Sequence, residues 1–485
     1  MNSNNNTTLL APAPGRFAAA RAGHWLALPV VLAGTFMVVL DFFIVNVALP
    51  SLQHRLHAGS GAIEWVVAGY ALTSAVFLIT AARLGDRIGR RRTFSLGLGV
   101  FTLSSAACGV AATPTMLVVA RLVQGGGAAL MMPNVLAIIG ATYADGDRAR
   151  ALGAYGLVMG LAAASGQLIG GGLVQADVAG LGWRACFLIN VPVGVAALMV
   201  APRLVPESRG QQAIRPDVIG TVLVTAALTA IVLPLLDGRQ HGWPLWTLLM
   251  LATAPLLLVA FALHQRRLAG SGGAPLIAPA LLRRRSFSAG LVAQLAFWCG
   301  QASFFLVLAL YLQQGRGLTA LGAGLVFTIL AVSYVAASMR APALVERHGR
   351  RLIAAGALVL AGGHGVLLAA VAAVGTGGSI VTLAPGLALV GAGMGLLIVP
   401  LTTTILSGVG AEHAGAASGA LATMQSVGNA LGVAVTGVIF FGAVHGGYAH
   451  ALELSLAQLA ALLVLVAGLT RLLPGRQRSM KRRAA

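Results

Sequence analysis

Long apolar runs separated by short polar segments recur from one end of the sequence to the other. Runs of spanning length cover residues 25–49, 63–82, 93–112, 116–142, 151–174 and 185–200, a first set of six. Two more follow at 218–236 and 245–263, then six others at 287–312, 321–339, 352–374, 380–406, 416–441 and 454–473. An apolar helix of roughly 20 residues crosses the ~30 Å hydrocarbon layer of a bilayer. The pattern therefore predicts an all-α polytopic membrane protein with fourteen transmembrane helices.

Within that pattern the chain repeats itself. Leu84-Gly-Asp86-Arg87-Ile-Gly89-Arg90-Arg91, after the second span, matches Leu344-Val-Glu346-Arg347-His-Gly349-Arg350-Arg351, after the tenth, at an offset of 260. Gly153, Gly166 and Gly171 in the fifth span match Gly419, Gly432 and Gly437 in the thirteenth at an offset of 266. The duplicated unit is six helices, and parallel repeats of this kind build transporters whose substrate path runs along the interface between halves. The expected organisation is a disordered tail (1–23), an N-terminal six-helix bundle (24–202), two inserted helices (203–264), a linker (265–286), a C-terminal six-helix bundle (287–473) and a basic tail (474–485).

Charge then sets the orientation. Charged residues make up only 9% of the 485 positions and hydrophobic ones 58%, which excludes an ordinary soluble domain. The net charge of +20 could suggest nucleic acid, but its placement argues otherwise. Of 32 Lys plus Arg, only Arg55, Arg184, Arg239 and Arg316 fall on the side opposite the rest, and Arg121 lies inside a span. That asymmetry is the positive-inside pattern, so both termini are expected in the cytoplasm and the basic surface faces anionic lipid. A single lysine, Lys481, among those basic residues suggests a GC-rich bacterial genome and hence a bacterial inner membrane. Cys108, Cys186 and Cys299 have no paired spacing and read as packing residues.

The candidate chemistry begins with Arg121. A guanidinium at membrane depth costs several kcal/mol unless it faces protein, water or a counter-ion. A search of the other spans returns one acid to pair with it, Asp41. With the N-terminus inside, Asp41 lies about 12 Å and Arg121 about 8 Å of helix from the outer ends of the first and fourth spans, at similar depth. A carboxylate that gains and loses such a partner between two conformations can carry a proton one way in exchange for a substrate. The bland alternatives are a structural arginine bonded to backbone carbonyls and an acid with a purely structural partner.

Asp86, Arg87, Gly89, Arg90 and Arg91, with the copy around Glu346 and Arg350, read either as topological charge or as a pair of latches that engage in one conformation and release in the other. The glycines of the fifth span, including Gly166, Gly170 and Gly171, let helices approach closely. Asn46, Gln124, Asn134, Gln294, Trp298, Gln425 and Asn429 are candidates for a substrate cavity, with Gln301, Trp65 and Tyr70 beside them; interhelical hydrogen bonding is the plainer reading for any one. His364 reads as a packed histidine. No phosphate-binding loop, metal-ligand spacing or nucleophile with its base is present, so no cofactor, metal or enzymatic activity is expected.

Residues 84–91 and 117–129, together with Gly166-Gln167-Leu-Ile-Gly170-Gly171, resemble the signature motifs of the major facilitator superfamily. Leu40-Asp41 through Pro50 resembles the first-helix motif of its fourteen-span drug:proton antiporters. Residues 182–184 with 187–192, Tyr311-Leu-Gln313, and 414–419 with Gln425 also look like that group. The resemblance implies the major facilitator fold and alternating access driven by the proton gradient. It also implies Asp41 and Arg121 as coupling residues and the fifth-span glycines, with Gln167 standing where a proline is expected, as a helix-bending antiporter element. No carboxylate occupies the tenth or thirteenth span, so neutral, zwitterionic or monocationic substrates are expected.

The reading that follows is a monomeric inner-membrane exporter of amphipathic organic compounds with protons as its second partner. Its competitors are a proton symporter or facilitator importing a metabolite, and a transporter-like membrane sensor that moves nothing.

Overall fold

The computed structural model describes residues 25–143, 145–209, 217–238, 241–273, 275–276, 279–407, 409 and 414–473. The expected N-terminal tail and basic C-terminal tail lie outside the described residues. Among the described residues fourteen long helices follow one another. They are α1 (Ala27–Leu56), α2 (Ser60–Ile88), α3 (Arg90–Gly109), α4 (Pro114–Thr142), α5 (Asp145–Ala176), α6 (Asn190–Leu204), α7 (Val218–Asp237), α8 (Leu245–Gly270), α9 (Arg285–Leu310), α10 (Ala320–His348), α11 (Arg350–Val374), α12 (Ala384–Ser407), α13 (Ala414–Ala443) and α14 (Tyr448–Leu469). Among the described residues, 13 segments are long and apolar enough to cross a membrane. The exception, α3, begins with three arginines and is diluted by Thr, Ser and Gly, yet its 20 residues are of spanning length. The sixth span differs from its expected bounds: a short helix, Ala185–Leu188, precedes α6.

Local chemistry explains where the helices start and stop. Thr113 caps α4, its hydroxyl accepting the Met116 N–H at 3.2 Å, with Pro114 in the first turn where a missing N–H does no harm. The two copies of the charged loop motif both turn at a glycine with positive φ, +117° at Gly89 and +54° at Gly349, a region costly for other residues. Small residues bring the helices together. A Cβ on Gly125 would lie 2.2 Å from Thr73 Oγ1 and 2.3 Å from the Tyr70 carbonyl, and one on Gly127 would lie 2.7 Å from the Phe101 nitrogen. Thus α4 sits directly against both α2 and α3.

The two repeat copies meet along two seams, α2 on α13 and α5 on α10, and α1 touches α9 between them. Contact is closest at the end of the bundle that is poor in arginine. There Gln313 Nε2 donates to the Val47 carbonyl at 3.1 Å, and Gln314 Nε2 to Gln53 Oε1 at 2.8 Å. One turn deeper, Phe43 of α1 meets Phe305 of α9 edge-on at 4.9 Å. Phe42-Phe43 and Phe304-Phe305 are themselves a repeated pair, in which Asp41 corresponds to Ser303. Toward the arginine-rich end the packing loosens: Cβ atoms on Gly153, Gly156 and Gly419 would meet nothing within 4 Å.

The inserted helices pack chiefly on each other, with α7 also against α2 and α13. Hydrogen bonds hold α7 to α2 near both ends, Trp65 Nε1 to Asp237 Oδ1 at 3.1 Å and Thr80 to Thr221 at 3.0 Å.

Candidate functional site

Arg121 and Asp41 do face each other. Arg121 Nη1 donates to Asp41 Oδ2, and both side chains are at most 1% exposed. The guanidinium has further partners: Nη1 also reaches Gln124 Oε1 at 2.8 Å, Nε donates to the Val66 carbonyl at 2.9 Å, and Cζ lies 4.3 Å from the centre of the Tyr70 ring. Arg121 and Gln124 reach the same spot because residues three apart share a helix face. On the other carboxylate oxygen, Oδ1, Gln124 Nε2 donates at 2.9 Å and Asn190 Nδ2 at 3.2 Å. Ser105 Oγ accepts from the same two amides, at 3.2 and 3.1 Å, and donates to the Phe187 carbonyl at 2.9 Å. Five elements thus converge on one dry ion pair, α1, α2, α3, α4 and α6. Such a pair is tolerable in a low-dielectric interior only when the remaining lone pairs and N–H groups are also satisfied.

Ser105 and Asn190 were not singled out in the sequence as partners of this pair. A Ser or Asn inside a span is common, and only the order of helices around Asp41 makes these two special. Asp41 is not alone among buried acids in the spans. Glu64, in the second span, is fully buried, with its Oε2 at 2.5 Å from where a Cβ on Gly437 of α13 would lie. It escaped notice because it stands near the helix start, where an acid normally reaches water; here α13 covers it.

The loop motif makes a local clamp. Asp86 Oδ1 accepts from Arg90 Nε at 3.0 Å and Nη2 at 2.8 Å, and Arg90 Nη1 reaches the Ala137 carbonyl at 3.3 Å. Arg91 donates to the Pro202 and Val205 carbonyls at the end of α6, at 3.0 and 3.2 Å, and its backbone N–H to Glu207 at 3.0 Å. A side chain on Gly89 would collide with the Glu207 carboxylate, 2.6 Å away. Arg87 is exposed. In the second copy Arg350 holds the Arg471 and Leu473 carbonyls after α14, at 2.9 and 3.2 Å; the Glu346 side chain lies outside the described residues.

The glycines of α5 are close-approach points. Cβ atoms on Gly166 and Gly170 would strike Phe43 and Ile44 of α1, and one on Gly171 the Ala320 carbonyl of α10. Gln167 is 1% exposed, and neither amide atom has a hydrogen-bond partner.

The cavity candidates divide into two groups. Gln124 belongs to the ion-pair cluster, and Asn134 clamps α4 to α2, donating to the Leu130 carbonyl at 2.8 Å and the Ala81 carbonyl at 3.4 Å. Asn46, Gln294, Trp298, Gln425 and Asn429 lie on α1, α9 and α13, and α9 packs against both of the others. Asn46, Gln301 and Asn429 each keep a buried oxygen without a hydrogen-bond partner. His364 packs edge-on against Phe304 at 5.0 Å, with Nδ1 at 2.8 Å from the Leu360 carbonyl.

A helical bundle made of two sequence copies, with a charged cluster buried in one copy and unpartnered amide oxygens on helices of both, is the framework of a membrane transporter rather than an enzyme. The comparisons give the same class. The profile of the Major Facilitator Superfamily matches residues 31–433, and the chain belongs to that family. It is 40% identical to the "Probable actinorhodin transporter" of Streptomyces coelicolor, over 87% of this chain and 73% of that one. It is 34% identical to the "Multidrug resistance protein Stp" of Mycobacterium tuberculosis (84% and 74% covered). The "Tetracenomycin C resistance and export protein" of Streptomyces glaucescens is also 34% identical (86% and 76%). Among solved structures, the POT family transporter PepTSo superposes with a TM-score of 0.69 at 13% identity, covering 92% of this chain and 97% of that one. That likeness concerns the fold. The protein is a multi-pass membrane transporter of small organic molecules.

Proposed function

We propose that this protein exports amphipathic organic compounds in exchange for protons, with Asp41 as the proton-exchanging carboxylate and Arg121 as its counter-charge. The observation that carries this reading is the Asp41–Arg121 cluster, an ion pair with no exposure whose every partner lies in one repeat copy. A proton bound by Asp41 cancels its charge and releases Arg121 onto Gln124 and the Val66 carbonyl, which alters how α1 and α4 hold each other. Because α1 also carries Phe43 and the Val47 carbonyl that seal the halves, the protonation state of Asp41 and the closure of that end act on the same helix. The seal stands at the arginine-poor end and the packing is looser toward the arginine-rich side, taken as the cytoplasm, which suits a state in which an exporter loads. Relatives named for export and resistance support outward transport, and the compounds they are named for suggest antibiotic-like substrates.

The test is efflux of a panel of fluorescent amphipathic dyes from efflux-deficient cells, wild type against Asp41→Asn, with and without a protonophore. Loss of export in the mutant and in uncoupled cells is expected. Export that survives both treatments overturns the mechanism, and dye accumulation driven by the same gradient makes the protein an importer.

A further inference from the structure

Two duplicated halves create two equivalent seams, and the inserted helices break that equivalence. Helix α7 packs on both α2 and α13, and its Ala227, Leu228, Ala230 and Val232 are each at most 5% exposed. Near the arginine-rich end Arg83 Nη2 donates to the Pro275 carbonyl at 2.6 Å, which draws the connecting segment beneath α2. Most of α8 faces outward, with Thr247, Ala254 and Gln265 as its buried residues. Neither α7 nor α8 forms a packed face with α5 or α10 among the described residues.

The uncovered seam is a wedge. At its arginine-poor end it is tight: a Cβ on Gly171 would lie 2.5 Å from the Ala320 carbonyl and one on Gly324 2.7 Å from the Gln167 carbonyl. Lower down, a Cβ on Gly160 would only just touch the Tyr334 ring at 3.8 Å, and those on Gly156 and Gly153 would meet nothing within 4 Å. Leu157, Leu161, Val332 and Met339 are exposed along it. No charged residue occurs in residues 151–176 or 320–339, so an uncharged wall runs from the arginine-rich edge to the centre of the bundle.

We infer that substrate enters the centre of the bundle from within the membrane, through the α5–α10 seam at the arginine-rich end, while α7 shuts the α2–α13 seam to lipid. This inference rests on the export reading above and adds the route and the chemistry of the cargo. An apolar or amphipathic compound concentrates in the leaflet in proportion to its apolar area and slides along an uncharged wall at little cost. A polyion, which cannot shed its hydration at membrane depth, is excluded. Gln167, buried on α5 near the closed end of the wedge with neither amide atom hydrogen-bonded, offers such a compound a polar partner there.

The experiment has two arms. In proteoliposomes, a bimane label is placed on Gly160→Cys or on Ser426→Cys, the corresponding position of α13, against the unsubstituted chain labelled in parallel. Dibrominated phosphatidylcholine is expected to quench the label at 160 and leave that at 426 bright. Equal quenching at both positions, or none at 160, overturns the inference whether or not any compound is transported. The second arm follows Nile red transport in inverted vesicles. Gly156→Trp, which plugs the wedge, is expected to lose transport, and Gly99→Trp, on an open face of α3, to retain it; equal rates count against the seam. If wild type moves no Nile red, the export reading fails for this probe and the quenching arm still decides the route.

Discussion

Asp41 survives in the middle of the bundle because Arg121, Gln124 and Asn190 surround it. Replacing one member of a buried ion pair leaves the other charge stranded, at a cost of about 3–5 kcal/mol, whereas removing both is far milder. Asp41→Asn should therefore melt well below wild type in detergent, and the double variant Asp41→Asn/Arg121→Gln should recover most of that loss. Proton-driven efflux should stay absent in both. A double variant that is as unstable as the single one would mean that the arginine is held by carbonyls and rings rather than by the acid. The pairing itself was legible in the sequence, because charges at membrane depth are so few that depth alone matches them. The supporting Ser105 and Asn190 were not legible, since many spans carry a Ser or Asn and only three-dimensional neighbours distinguish them. Glu207, which receives the Arg91 N–H, was missed because it sits in an inside loop where charge has a topological explanation.

Helices here are spaced by their smallest residues. Gly125→Val should push α2 from α4 and cost about 1–3 kcal/mol, while Gly126→Ala, whose Cβ meets nothing within 4 Å, should be neutral in the same melting assay. The inserted helices are joined differently, through Asp217 at the start of α7. Burial opposes ionisation of its carboxyl, but bonds from the Gly220 N–H at 2.8 Å, His264 at 2.7 Å and Gln265 at 2.6 Å outweigh it and hold the carboxyl below the usual aspartate range. A depressed folded-state value stabilises above the ordinary aspartate pKa of about 3.9 and fades as pH falls through the folded one. The melting gap between wild type and Asp217→Asn should thus persist down to about pH 4 and close below it; a gap that closes near neutrality would assign the effect to His264 instead. Helix number and most boundaries followed from apolar run length, whereas the break before α6 did not, because Asn190 and Pro192 are too few to interrupt the otherwise apolar run of residues 185–200.

As a whole the molecule is closed at one end and loosened at the other. Cross-linking Gln53→Cys to Gln314→Cys with a short bis-maleimide should fix the closed end and stop transport, because those side chains meet at 2.8 Å. Each single-cysteine variant treated alike should keep transporting; a cross-linked protein that still turns over would show that this end does not part during the cycle. Repeat offsets revealed the duplication, but no sequence pattern told which seam the inserted helices cover, since that depends on where α7 docks.

The aromatic plug bears on how such a protein changes over generations. After a gene doubles, mutation erodes whatever one copy can supply alone and spares what needs both. Phe43 and Phe305 touch each other, so each copy must keep its own; the repeat places Ser303 where the first copy has Asp41, so that acid stands in one copy alone. On the proposed mechanism the second copy is released from energy conversion. Its helices are free to drift with the compounds a cell must expel, and a lineage can acquire new cargo without rebuilding its engine.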